Sequence, residues 1–102
     1  MRRGLHPYVH EVVHFLPKVR RHFPGWDYRI TSGFRSMTKQ ARLYAAWRAG
    51  RRTLPAAPPG RSRHNFGLAL DIVTNDRAFL NEVMAWLGFR WAGTRDPVHY
   101  DI

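Results

Sequence analysis

Apolar residues recur at helical spacing early in the chain. Val9, Val12, Val13, Leu16 and Phe23 share one face, which predicts an amphipathic helix from Pro7 to about Phe23. Pro17 lacks an amide hydrogen and is expected to kink or end that helix near Leu16. PGWDYRITSGF reads as a turn at Pro24 and Gly25, then a strand from roughly Tyr28 to Ser32. Ser36 is a suitable N-cap for a second helix carrying Met37, Gln40, Ala41, Tyr44 and Trp47 along one stripe, with Gly50 as its stop. The segment RRTLPAAPPGRSRHN is too rich in proline to be helix or central strand, so it predicts a loop. GLALDIVT is a short apolar run broken by one acid, a buried strand. From Asp76 to Leu87 a third helical face gathers Phe79, Leu80, Val83, Met84 and Leu87, and Gly88 ends it. GFRWAG and PVHYDI give two closing strands joined by a turn around 93–96. The sum is an α+β domain with about three helices and one small antiparallel sheet.

Length and composition narrow the chemistry. At 102 residues the chain has room for one domain, 1–102, and 44% hydrophobic content is that of a folded protein. It has no cysteine, which removes disulfides, thiolate zinc sites and a cysteine nucleophile. A transition metal would have to rest on histidine and carboxylate. Seventeen Lys and Arg against seven Asp and Glu give a net charge of +10, which favours a polyanionic partner: nucleic acid, anionic lipid or an anionic cell wall. The cations are scattered along the chain and no nucleic-acid recognition motif accompanies them, so nucleic acid is not the expected partner. No segment has the length and apolarity of a signal peptide or membrane span, so synthesis in the cytoplasm without membrane insertion is expected.

HEVVH, residues 10–14, matches the H-E-x-x-H pattern by which a helix holds zinc in metalloproteases. The long form of that motif needs a further histidine at position 20, where Arg20 stands. On a helical wheel His10 and His14 lie on the flank of a face owned by Val9, Val12, Val13 and Leu16. The row His6, His10, His14 is therefore expected to be a solvated flank, with at most adventitious metal binding.

A stronger constellation lies in SRHNFGLALD, residues 62–71, and DPVHY, residues 96–100. Asp71 would sit among aliphatics, where an unpaired charge is strongly unfavourable, so it demands a cation or several donors. In a strand it shares a face with Ala69, whose small side chain leaves room beside the carboxylate. His64 precedes the strand, Gly67 permits a tight turn between them, and His99 can project beside Asp71 if the two strands are neighbours. Two histidines and one aspartate leave one position open, the arrangement of catalytic zinc. Asp96 could take a proton from water activated there, provided a bend at Pro97 brings it round to His99.

TSGFRS, Gln40, PGRSRHNFGLALDI and DPVHY together resemble the zinc peptidases of bacterial cell walls. That family includes D-alanyl-D-alanine carboxypeptidases, vancomycin-resistance dipeptidases and phage L-alanyl-D-glutamate endopeptidases. Its pattern S-x-H-x-x-G-x-A-x-D is met by Ser62, His64, Gly67, Ala69 and Asp71. The resemblance implies a Hedgehog/DD-peptidase-like fold and Zn2+ held by His64, Asp71 and His99. It further implies Asp96 as general base, Arg35 binding substrate or stabilising the developing oxyanion, and Gln40 and Ser62 as secondary members of the substrate-binding set, Gln40 supporting Arg35 or the substrate and Ser62 orienting the loop that carries His64. Val98 stands where relatives often have Trp or Pro, and Asp at 96 where many have Glu, which is more like the phage endopeptidases.

The function expected on these grounds is hydrolysis of a peptide bond in the stem peptide of peptidoglycan by a monomeric, lysin-like L-alanyl-D-glutamate endopeptidase that acts on the wall after release. A D-alanyl-D-alanine carboxypeptidase and a non-catalytic, zinc-containing wall-binding module are the alternatives.

Overall fold

The computed structural model describes residues 3–102. In chain order they form helix α1 (Pro7–His22), strand β1 (Tyr28–Ser32), helix α2 (Met37–Arg48), a single 3-10 turn (Arg63–Phe66), strand β2 (Ala69–Thr74), helix α3 (Arg77–Trp86), and strands β3 (Arg90–Trp91) and β4 (His99–Asp101). The strands make one antiparallel sheet in the order β1-β2-β4-β3. This is the α+β architecture that the hydrophobic pattern predicts.

The core lies between one face of the sheet and helices α1 and α3. Val9, Val12, Val13 and Leu16 of α1, Leu80 and Met84 of α3, and Leu70, Ile72 and Tyr100 of the strands are buried there, with Trp26 and Phe89 closing its ends. Strand alternation explains the division: Leu70 and Ile72 face the helices while Ala69 and Asp71 face the other way. Tyr100, fully buried, satisfies its hydroxyl with Asn81 and Arg77.

Helix α1 has the extent its apolar stripe predicts, and of the two effects expected of Pro17 an end near Leu16 does not occur, since the helix runs on to His22. Pro17 removes one backbone hydrogen bond, yet the helical stripe packs on the same core on both sides of it, through Leu16 before and Val19 after. Burial of that stripe outweighs the missing bond. Along the stripe of α2, Gln40 is the helix's one buried residue, and Met37 is exposed. Through Gln40 that helix reaches Arg35.

The segments that carry the polar face are held by local bonds. Ser36 caps α2 by accepting from the Lys39 amide, and Asp76 caps α3 by accepting from the Phe79 amide. Gly67 ends the 3-10 turn at φ 69°, and a Cβ there would run into the Gly4 carbonyl oxygen and the His6 amide. Only glycine fits this approach, in which the His6 amide donates to the Gly67 carbonyl at 3.0 Å.

Candidate metal centre and active site

Asp71 is placed by strand register. It stands directly opposite His99 of β4 on one side and Ser32 of β1 on the other. The second pairing exists because a bulge falls between Ile30 and Ser32. The extra residue, Thr31, turns Ser32 onto the face that Asp71 occupies. His64 arrives from the 3-10 turn, whose N-cap, Ser62, accepts from the His64 amide at 3.2 Å.

Hydrogen bonding fixes both imidazoles. The Nδ1 of His64 lies 2.7 Å from the Gly33 carbonyl oxygen, which can only accept, so Nδ1 carries the proton. The His99 Nε2 lies 2.8 Å from Asp101 Oδ2, another pure acceptor when ionised. The remaining nitrogens, His64 Nε2 and His99 Nδ1, both point at one oxygen, Asp71 Oδ1, from 3.0 and 3.2 Å. With neutral imidazoles, two lone pairs would face a carboxylate oxygen. Such an arrangement is repulsive unless a proton or metal cation sits between them.

The donor set fits zinc. The ligand atoms of His64, Asp71 and His99 all lie within 4.8 Å of one another, and they form the one such group among the described residues. Two ligands each about 2.0–2.1 Å from a tetrahedral ion are separated by about 3.3 Å. The two Asp71 contacts are close to that value. Nitrogen and carboxylate donors without sulfur are an ordinary set for a catalytic zinc.

Electrostatics follow the same geometry. Burial alone would push the Asp71 carboxyl up, but hydrogen bonds and charge from His64 and His99 outweigh it and hold the group well below the usual carboxylate range. Burial pulls His99 down while Asp71 and Asp101 pull it up more strongly, so its pKa is raised. Arg35 is lowered by its burial, partly offset by Asp71.

Arg35 lies against the other oxygen of Asp71, 3.5 Å from Oδ2. Its guanidinium donates to Ser32 Oγ at 3.1 Å and to Gln40 Oε1 at 3.0 Å. Gln40 in turn donates to the Ala57 carbonyl at 2.7 Å and is only 1% exposed. Gln40 thus links Arg35 to the loop at Ala57. Ser62 uses a lone pair on the His64 amide and keeps its hydroxyl hydrogen to donate.

Arg35, Gln40, Ser62, His64, Asp71, Asp96 and His99 all line one cavity of about 310 Å³. Asp96 reaches it because 94–98 is a turn, not an extended strand, with the His99 amide donating to the Asp96 carbonyl at 3.0 Å. That turn supplies the bend required at Pro97. By contrast HEVVH stays apart: Val12 and Val13 are in the core, Glu11 and His14 are exposed, and His6 spends its Nδ1 capping α1.

Several contributors escaped the sequence reading. Asp101 was legible, because alternation puts it on the face of His99 two residues earlier. Asn65, bonded to the Arg35 carbonyl at 2.8 Å and the Gly60 amide at 3.0 Å, ties the 3-10 turn to the Arg35 segment. Ser32 was hidden by the bulge, and the Gly33 carbonyl has no side-chain signature at all.

Fold and site together define an α+β protein with a candidate metal centre of the hydrolytic kind. A family model of D-alanyl-D-alanine carboxypeptidases, VanY, matches residues 4–92, and the chain belongs to that family. The matched segment contains Arg35, Gln40, Ser62, His64 and Asp71 and stops before Asp96 and His99. Among solved structures, the chain is similar to a vancomycin-resistance D,D-pentapeptidase, VanY, in complex with Zn(II): 23% identity, TM-score 0.70, covering 95% of this chain and 71% of that one. It is similar to the LD-carboxypeptidase LdcB at 24% identity and TM-score 0.73, covering 96% of this chain and 65% of that one. It is also similar to the Serratia marcescens L-Ala D-Glu endopeptidase ChiX at 22% identity and TM-score 0.60, covering 99% of this chain and 82% of that one. No curated protein matches the sequence.

Proposed function

We propose that residues 1–102 form a zinc peptidase domain that hydrolyses a peptide bond in the stem peptide of peptidoglycan, with the L-alanyl-D-glutamate bond as the preferred target. The observation that carries the reading is the convergence of two imidazole nitrogens on Asp71 Oδ1, each imidazole having its other nitrogen committed to an acceptor. His64, Asp71 and His99 would hold the ion. Zinc held there supplies a Lewis acid that polarises a carbonyl and makes water more acidic.

The surrounding residues have distinct tasks. Asp96, at the cavity wall, accepts a proton from the attacking water and returns it to the departing amine. Arg35, braced by Ser32 and Gln40, presents positive charge where the carbonyl oxygen becomes an oxyanion. Ser62 holds the turn that delivers His64 and offers its hydroxyl hydrogen to substrate.

The endopeptidase preference draws support from Asp96 as the acid in D-P-V-H and from the likeness to ChiX, most of whose length the chain spans. The carboxypeptidase reading is favoured by the description of the matching family. Digestion of purified stem peptides, followed by mass spectrometry, separates the two by the new termini. Cleavage that requires zinc and stops with chelator supports the proposal. Zinc binding without cleavage at high protein concentration would make the chain a wall-binding module instead.

A further inference from the structure

Asp96 lines the cavity, yet its carboxylate makes no hydrogen bond or ion pair with any described residue. Its direction is therefore set by the backbone of the turn at 94–98. Within that turn the Asp96 amide donates to the Gly93 carbonyl at 3.2 Å, and the Asp96 carbonyl accepts from the His99 amide at 3.0 Å. At its ends the Ala92 amide donates to the His99 carbonyl at 3.0 Å, and the Ile72 amide to the Val98 carbonyl at 2.9 Å. The carbonyl of Pro97, next to Asp96, is held by a side chain instead: the Trp91 indole Nε1 donates to it at 2.8 Å.

That bond crosses from one arm of the β3–β4 hairpin to the other. Trp91 stands opposite Tyr100, which is fully buried in the core. Opposite residues of an antiparallel pair share a face, so the indole approaches the turn from the side of the helices and not from the side of Asp71 and His99. Accordingly Asp96, Val98 and His99 line the cavity while Trp91 does not. Pro97 has no amide hydrogen, so its carbonyl is the one group by which its backbone can be bonded in place. Trp91 is 37% exposed, and its indole hydrogen could be given to water at no cost of burial. Burial therefore does not force the bond; its effect is to fix the turn.

We propose that Trp91 is the positioning residue of the general base: its indole N–H fixes Pro97, and through Pro97 it aims the Asp96 carboxylate at the attacking water. The proposal rests on the peptidase reading and extends it to a side chain outside the cavity. A base displaced by about 1 Å can cost about 100-fold in rate, whereas the substrate is gripped by other walls of the cavity. Loss of the bond should therefore appear in kcat, with KM and zinc affinity preserved.

The test uses zinc-loaded protein and the stem peptide that wild type cuts. Trp91→Phe keeps an aromatic ring and removes the donor. We expect kcat to fall about 10- to 100-fold, with KM and the zinc dissociation constant within about twofold of wild type. Adding Trp91→Phe to Asp96→Asn should cost less than about twofold more, because a base that is absent cannot be misaimed. Where Asp96→Asn leaves no measurable rate, the split between kcat and KM in the single variant decides. Trp86→Phe, at an exposed indole on α3 without a hydrogen-bond partner among the described residues, should leave kcat unchanged. If Trp91→Phe does not fold, benzothienylalanine at position 91 keeps the ring shape without the N–H and reads the same split. A fall in kcat short of tenfold, a change carried by KM, a zinc affinity that drops in step with kcat, or a full second loss on top of Asp96→Asn overturns the assignment and leaves the peptidase standing. If wild type cuts no stem peptide, the peptidase reading itself falls, and the assignment with it.

Discussion

Asp101 is the residue that ties the end of β4 to a candidate metal ligand. One carboxylate oxygen accepts from His99, while the other takes Arg90 at 3.2 and 2.9 Å, so a chain of charge runs from the sheet edge to the candidate metal ligand. A partner of this kind fixes which imidazole nitrogen bears the proton and raises the basicity of the other. Asp101→Asn should therefore weaken zinc binding by about 10- to 100-fold. Competition with a chelating dye measures this directly, and an unchanged dissociation constant would mean that Asp101 has no part in holding His99. The same alternation that puts Leu70 and Ile72 in the core exposes the logic of Asp71, Ala69 and Asp101 on the opposite face.

At the level of elements, the site depends on two short irregularities, the bulge in β1 and the turn that ends at Gly67. Gly67→Ala would force a Cβ into the Gly4 carbonyl and the His6 amide at a left-handed φ. We expect a loss of about 2 kcal/mol or more in unfolding free energy. A urea titration that finds less than half of this would show that the 4–6 segment yields easily. The helices were legible because their apolar residues keep a 3.6-residue period over several turns, and Ser36 and Gly88 mark where two of them start and stop. The extent of α1 was legible from its stripe, while the local rule about Pro17 left an end near Leu16 open; burial of residues on both sides of it, a tertiary property, carries the helix through. The stripe on α2 gave the helix but not its burial, because periodicity shows that a face exists without showing what covers it. His64, Asp71 and His99 could be picked out because a buried acid needs partners, whereas Ser32 depended on a bulge that no residue announces.

For the molecule as a whole, the site's charges make metal-free stability depend on pH from both sides. Asp71 has a folded pKa below its unfolded value, so its contribution is present above about pH 3.9 and is lost as pH falls through the folded value. His99 has a folded pKa above its unfolded value, so its contribution is complete below about pH 6.5 and is lost as pH rises through the folded value. Chelator-treated protein should accordingly have its highest Tm between about pH 4 and 6.5, and circular dichroism melts across pH 3–9 would reveal a flat profile if these pairs contribute nothing. The net charge of +10 belongs to this scale too, favouring contact with an anionic wall without choosing any bond in it. No helix among the described residues is long and apolar enough to cross a membrane.

The central claim is that the metal belongs to His64, Asp71 and His99, not to the H-E-x-x-H helix. Zinc bound per chain, measured by elemental analysis after dialysis for wild type, His64→Ala and His10→Ala, tests it most directly. About one zinc is expected in wild type and in His10→Ala, and little or none in His64→Ala. Zinc lost from His10→Ala but retained by His64→Ala, or retained equally by all three proteins, would contradict the account.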